Sequence, residues 1–352
     1  MKKWLWIIPA AVLLCSGLWL AKELYSPYRG YPGRLVLVIQ HGASAPAIAE
    51  SLVRHGVLAY RVPFLFRTWI GRRRRETIKS GEYLFDRPLT ASQVYQKLVR
   101  GEVYLHAVVI PEGSDRFDIA RIYQQTLGLD PQAFLAETRD PEKIHDLDPQ
   151  ATSLEGYLFP DTYRFPRGVS PAVAVQAMLA RFRQVLASRF AGELPAGSGA
   201  LHRVMTLASL VEKETPNPEE RPRIAGVFVR RLEKGIPLQC DPTVIYALVA
   251  SQNSVEPFHG AITHADLKID SPYNTYARAG LPPGPICSPG AASIRAALHP
   301  AEGSALYFVS NNHGGHVFAD TLAQHDRNVA RYRREVEAAA ERDAENRHHN
   351  SR

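Results

Sequence analysis

Three cysteines in 352 residues cannot staple a chain of this size, which excludes a disulfide scaffold and leaves the fold to a hydrophobic core. Cys15 lies in an apolar run, and Cys240 and Cys287 either pair or stay as small buried thiols. No internal repeat is present, so solenoids and propellers are excluded. No Gly-rich phosphate loop and no Ser/His/Asp arrangement stands out, which sets aside P-loop and triad chemistry. His313, His316, Asp320 and His325 do not have metal-site spacing, because two glycines split the first pair and no glutamate stands as a base. These histidines are expected to be structural, and no metal or cofactor is expected.

Long apolar runs are equally scarce. Trp4 to Ala21 is uncharged, follows Lys2 and Lys3, and gives way to Lys22 and Glu23. As a helix it spans roughly 27 Å, enough for a bilayer core. Its end, Leu18-Trp19-Leu20-Ala21, offers no small-x-small cleavage site, and Leu14 before Cys15 is too bulky for lipoprotein processing. The run reads as an uncleaved signal anchor with Lys2 and Lys3 in the cytoplasm and the remainder exported. The expected location is therefore the inner (cytoplasmic) membrane, single-pass, with the bulk of the chain on the periplasmic or extracytoplasmic side.

Beyond the run, 45% hydrophobic and 22% charged residues describe an ordinary globular protein. An exported domain rarely meets nucleic acid, so a net charge of +7 points to anionic headgroups or an acidic envelope polymer. Arg72 to Arg75 is the one dense basic run, read first as a solvated loop and second as an electrostatic contact.

Residues 1–25 make the cytoplasmic N-terminus and span. Within 26–110, a Pro/Gly/Tyr linker to Gly33 precedes a strand over Leu35–Gln40, helices over Ala45–Leu58 and Tyr60–Ile70, and a strand over Gly81–Phe85. A helix capped by Thr90 and a strand over Val103–Ile110 complete a small α/β unit. Residues 111–335 alternate helices with loops: Pro111-Glu112-Gly113 turns into a helix at Asp118, and Val173–Phe190 is a long amphipathic helix. Ser271 to Gly290 is almost all turn formers, a length of loop that is commonly functional. Residues 336–352 form a charged tail. The fold class is α+β.

The densest chemical signal is Leu207-Ala208-Ser209-Leu210-Val211-Glu212-Lys213-Glu214-Thr215-Pro216, an apolar helix ending in two carboxylates. Two residues apart is roughly 200° around a helix, so Glu212 and Glu214 cannot share a cleft. Glu214 continues the stripe of Leu207, Leu210 and Val211, where desolvation would keep it protonated for acid catalysis. If the helix breaks before 212, Glu212 takes that place.

Glu212-Lys213-Glu214-Thr215, Leu238-Gln239-x-Asp241-Pro242-Thr243, Tyr273-Asn274-Thr275-Tyr276, Gly280-Leu281-Pro282-Pro283-Gly284-x-Ile286 and His299-Pro300 follow one another in an order and spacing that resembles the endolytic murein transglycosylase (YceG-like) family. Leu154 to Tyr163 and Pro111-Glu112-Gly113 match as well. The resemblance implies a transmembrane anchor, a small LysM-like module and a mixed α+β catalytic domain. The implied activity is that of a lyase cutting the β-1,4 bond between N-acetylmuramic acid and N-acetylglucosamine in nascent peptidoglycan, leaving 1,6-anhydro ends and terminating strand elongation.

The resemblance also implies that Glu214 is the catalytic acid and base, with cell-wall synthases (penicillin-binding proteins) as neighbours in the membrane. Whether the LysM-like module grips glycan or protein stays open. Gln239 and Asp241 are candidates for contacts to acetamido groups or to the oxocarbenium-like ring, although an Asp before Pro is also a common turn residue. Tyr273 and Tyr276 are candidates for stacking on sugars and Asn274 for holding hydroxyls or amides, against an equal reading as turn and core. Two rivals remain: a hydrolytic muramidase, which needs a second carboxylate such as Asp241, Glu155 or Glu212, and a non-catalytic peptidoglycan-binding scaffold.

Overall fold

The computed structural model describes residues 4–195, 197–253 and 255–350. They fall into two compact units, Met1–His106 with Arg164–Gly168, and Ala107–Tyr163 with Val169–Arg352.

The first unit begins with helix α1 (Trp4–Tyr25). Its segment Ile7–Tyr25 is long and apolar enough to cross a membrane, and only 6% of its most apolar window is buried. Strand β1 (Leu35–Ile39) buries Leu37 and Ile39 and exposes Val36 and Val38, the alternation expected of a half-covered strand. Helix α2 (Ala45–Arg54) starts where the Ser44 hydroxyl accepts from the Ala47 N–H and Pro46 fits the first turn. It stops four residues short of the expected Leu58. Gly56, at φ +70°, turns the chain there against the backbone of Gly30, leaving no room for a side chain.

Helix α3 (Arg61–Arg73) absorbs Arg72 and Arg73, so half of the basic run is helix rather than loop. Strand β2 (Gly81–Phe85) pairs antiparallel with β1 from Leu35 opposite Phe85 to Ile39 opposite Gly81. Helix α4 (Ala91–Arg100) carries a full capping box between Thr90 and Gln93 and ends at left-handed Gly101. The α2 residues Ile48 and Leu52, Phe64 of α3 and Val94 and Leu98 of α4 close over β1 and β2 in one core.

Strand β3 (His106–Val109) comes next, then α5 (Arg116–Leu127) and α6 (Pro131–Thr138). The α5 helix starts two residues before the expected Asp118, because the Asp115 carboxylate caps it by accepting from the Phe117 and Asp118 N–H groups. Strand β4 (Thr162–Phe165) pairs with β3. Helices α7 (Pro171–Arg189), α8 (Ala200–Glu214), α9 (Arg221–Glu233), α10 (Asp241–Gln252) and α11 (Ala291–Leu298) follow. Strands β5 (Tyr307–Ser310) and β6 (His316–Ala319) form an antiparallel hairpin, and α12 (Leu322–Asn350) runs without a break past residue 335.

Helix α8 is the axis of this unit. Every residue from Val204 to Val211 is buried, against α9, α10 and α11. The spacing predicted an apolar stripe through Leu207, Leu210 and Val211; the observed helix is buried around its whole circumference over Val204–Val211, as suits the central helix of a large core. Three two-stranded sheets among these helices make the fold mixed α+β.

Candidate active site

Helix α8 runs to Glu214 as the spacing predicted, and Thr215 leaves it in an extended conformation. The helix therefore does not break before 212, and its last turn sends the two carboxylates to different surroundings.

Glu212 goes into a buried ion pair. Arg221 donates through Nη2 to its Oε1 at 3.0 Å, and the Gly290 N–H donates to its Oε2 at 2.9 Å. Only 5% of the Glu212 side chain and 6% of the Arg221 side chain are exposed. Glu112 stands 3.8 Å from the same guanidinium, and burial, then repulsion from Glu212, pushes its carboxyl above the ordinary range. Glu212 thus clamps the end of α8 to the start of α9 and to the loop before α11.

Glu214 has no cationic hydrogen-bond partner among the described residues. Its side chain keeps an edge toward solvent, while desolvation of the carboxyl, followed by repulsion from Asp241, raises its pKa. The Cys240 thiol, which donates to it, and the nearby His316 ring work in the opposite direction. Burial and Glu214 together hold the Cys240 thiol protonated. The result is an acid that holds its proton more firmly than an ordinary glutamate, beside a second carboxylate.

That second carboxylate is Asp241, the first residue of α10. It is exposed, and its Oδ1 accepts from the Tyr276 hydroxyl. Burial and Asp241 push the Tyr276 phenol up, so it remains a donor. The turn carrying Asp241 is stitched to the loop carrying Tyr276. Gln239 N–H donates to the Thr275 carbonyl at 3.1 Å, and Cys240 N–H donates to Thr275 Oγ1 at 3.0 Å. Gln239 adopts φ +53°, a region costly for a side-chain-bearing residue. Its Oε1 accepts from Arg231 Nη2 at 2.6 Å, which leaves only its NH2 group for a ligand.

The other candidates separate. Asn274 is fully buried and donates to the carbonyls of Leu267 and Ile269 while accepting from the Tyr276 N–H. Its side chain braces the loop instead of facing the site. Tyr273 is partly exposed, with its ring 4.9 Å from that of Tyr246. Glu155 is 1% exposed. Its Oε2 accepts from the Arg116 N–H and the Tyr246 hydroxyl, and its Oε1 has no hydrogen-bond partner among the described residues. Burial and then Asp115 push its pKa to about 8. A neutral carboxyl so enclosed has no face for water or sugar.

The long turn-rich segment is held by side chains of α8. Ser209 Oγ accepts from the Ile286 N–H at 3.0 Å, and the Cys287 thiol donates to the Ser209 carbonyl. Cys287 and Cys240 are both free thiols. His202 bridges the Asp148 carboxylate at 2.9 Å and the Pro283 carbonyl at 2.8 Å. Both partners accept, so the ring must donate from both nitrogens, and the bond to Asp148 raises its pKa above the usual histidine value. A hollow of about 530 Å³ opens beside Val204 and Leu207 under Leu281, on the α8 face that leads to Glu214.

The sequence reading missed the functional weight of Glu220. Its carboxylate accepts from the His316 N–H at 2.9 Å and contacts His316 Nδ1 at 2.7 Å. Burial works to raise Glu220, but these bonds outweigh it and hold its pKa low. Glu220 thereby orients the ring that bears on Glu214.

A match to the YceG-like family model spans residues 37–331. The chain belongs to the YceG-like family. It is 31% identical over 310 residues to an endolytic murein transglycosylase of Bacillus subtilis, covering 84% of this chain and 83% of that protein. It is 30% identical over 321 residues to an endolytic murein transglycosylase of Streptococcus pneumoniae, of which it spans 57%. A crystal structure of a yceG-like protein from Listeria monocytogenes matches with a TM-score of 0.56 at 31% identity, covering 84% of this chain and 98% of that one.

Proposed function

We propose that this family member is an endolytic peptidoglycan transglycosylase that cuts the bond between N-acetylmuramic acid and N-acetylglucosamine without water, ending nascent strands in 1,6-anhydro sugars. The carrying observation is the division of labour on α8: Glu212 is locked in an ion pair, while Glu214 is a desolvated acid with no cationic hydrogen bond among the described residues. The names of the relatives support the transglycosylase part of this reading.

Glu214 donates its proton to the glycosidic oxygen as the bond to C1 breaks. The C6 hydroxyl of the same muramic acid closes on C1 and returns its proton to the Glu214 carboxylate. One C–O bond breaks, one forms, and the acid is regenerated. A single carboxyl suffices because the nucleophile is intramolecular, with an effective molarity on the order of 10⁵ M or more. Asp241, oriented by Tyr276, stabilises positive charge on the ring. The free NH2 of Gln239 and the exposed part of Tyr273 contact the sugars, and Asn274 acts by bracing Tyr276.

On this reading helix α1 is a single-pass anchor in the cytoplasmic membrane, with cell-wall synthases as neighbours there; the length and apolar composition of Ile7–Tyr25 support the anchor. The β1–α2–α3–β2 order supports reading residues 26–110 as a LysM-like module. Hydrolysis is the second reading, favoured by the nearness of Asp241 to Glu214.

Mass spectrometry of peptidoglycan treated with the full-length protein decides between them. Anhydro-muramyl ends from wild type and none from Glu214→Gln are expected. Reducing ends would assign hydrolysis, and glycan binding with no cleavage by wild type would leave a scaffold.

A further inference from the structure

The second face of α3 has no partner among the described residues and a composition that identifies one. The helix buries Phe64, Thr68 and Gly71 in the first unit. Its opposite face carries Val62, Phe66, Trp69 and Arg73, residues spaced four, three and four apart and therefore in one line. A solvated helix face would be polar there; instead Val62 is 53% and Trp69 50% exposed. Phe66 stacks on Trp69 with ring centroids 6.0 Å apart, and the Arg73 guanidinium lies 4.1 Å above the Trp69 ring.

The same helix and its C-terminal turn bear Arg61, Arg67, Arg72, Arg73, Arg74 and Arg75, and no carboxylate before Glu76. Arg67 pairs with Glu76 at 3.8 Å. Arg61 and Arg72 to Arg75 are all exposed, and none is in an ion pair among the described residues.

The position of α3 is set by α1. The last turns of the apolar helix pack against α3 and α4: Leu24 is buried, and the Trp19 ring meets that of Tyr60, the residue that starts α3, at 5.5 Å. Trp and Tyr concentrate at membrane–water boundaries. From Trp19 to the end of α1 is roughly 9 Å of helix, similar to the depth of one headgroup layer. A helix fixed there, aromatic on its free face and rich in arginine at its end, has the makeup of an interfacial element.

We propose that α3 docks on the anionic phospholipid headgroups of the leaflet from which α1 emerges, with Val62, Phe66 and Trp69 in the boundary and Arg72 to Arg75 on phosphates. Arginine suits this partner because its planar fork meets phosphate oxygens bidentately. The inference rests on α1 being a membrane anchor. Docking makes the first unit a rigid stand rather than a tethered bead, held at a fixed depth in the headgroup layer.

The test is hydroxyl-radical footprinting of the full chain in nanodiscs, reading oxidation of Trp69 by mass spectrometry. Trp69 is expected to oxidise at least fivefold more slowly on phosphatidylglycerol-containing discs than on pure phosphatidylcholine discs at 0.1 M salt. The difference is expected to fall below twofold at 1 M salt, where the Debye length is about 3 Å, and in a variant carrying Arg72→Gln, Arg73→Gln, Arg74→Gln and Arg75→Gln. Equal oxidation on both discs at low salt overturns the proposal, and the wild-type comparison stands even if the variant misfolds. Equal protection on phosphatidylcholine discs by an added soluble polyanion would also overturn it, by making the surface a polymer site. Alkaline extraction separates the anchor reading: the chain stays in the membrane pellet if α1 spans, whatever Trp69 reports.

Discussion

Replacing Glu212 and Glu214 by glutamine should give opposite phenotypes although the residues are two apart. Glu212→Gln removes one partner of a buried ion pair and leaves Arg221, 6% exposed, facing a neutral amide. Loss of one partner of such a pair costs about 3–5 kcal/mol. The lower end applies, because glutamine still accepts from the Gly290 N–H and Glu112 remains 3.8 Å from Arg221. For a unit of this size, about 3 kcal/mol lowers Tm by roughly 6–12 °C. Glu214→Gln exchanges a carboxyl whose pKa burial raises for an amide of the same shape that still accepts from the Cys240 thiol. Its stability should stay within about 1 kcal/mol of wild type, while loss of the proton donor lowers the rate by about 10²–10⁴-fold or more. Thermal unfolding of the two full-length variants, with muropeptide mass spectrometry, reads both effects. A stable, inactive Glu212→Gln beside a stable, active Glu214→Gln would refute the assignment.

Glu155 takes up a proton on folding, since its pKa rises from the ordinary carboxyl range to about 8. Its stabilising contribution is complete below about pH 4.5 and is lost as pH rises through 8, so Glu155→Gln should flatten the decline in unfolding free energy between pH 5 and 8. The His202 bond to Asp148 raises the histidine, so the latch on Pro283 is strongest below the usual histidine value and weakens as pH climbs past the raised one. Hydrogen exchange in residues 280–290 should accelerate from pH 6 to pH 9 beyond the intrinsic rate, and Asp148→Asn should remove that difference. Gln239→Gly relaxes φ +53° but deletes the partner of Arg231. The expected outcome is unchanged or higher Tm with at least tenfold lower kcat/KM, and full activity would show that Gln239 does not touch substrate.

Local features were legible because they are periodic or sterically forced. The alternation of β1, the Thr90 cap and the end of α8 at Glu214 before Pro216 follow from side-chain spacing and capping chemistry. The stripe argument for Glu214 rests on incomplete grounds, because α8 is buried on every side from Val204 to Val211. What separates the carboxylates is the partner each one meets. Arg221 lies across a proline turn, and His316 is 96 positions from Glu220, so neither pairing leaves a periodic trace. The burial of Asn274 was hidden for a similar reason: its acceptors are backbone carbonyls, which every residue has.

Three glutamates of this unit, Glu212, Glu155 and Glu214, differ in how their surroundings suit the proposed chemistry. A residue that must give a proton and then take one needs an environment hostile to charge without forbidding it. Glu212 fails by being too well paired, since Arg221 and the Gly290 amide stabilise its ionised form. Glu155 fails by being too enclosed, with an orphan oxygen, a pKa near 8 and no approach for substrate. Glu214 lies between them. Desolvation and Asp241 favour its proton, while the Cys240 thiol and His316 lower the cost of losing it. Glu220 fixes His316 in that balance, so an acidic side chain in the turn after α8 and a hairpin about a hundred residues later act together on one proton.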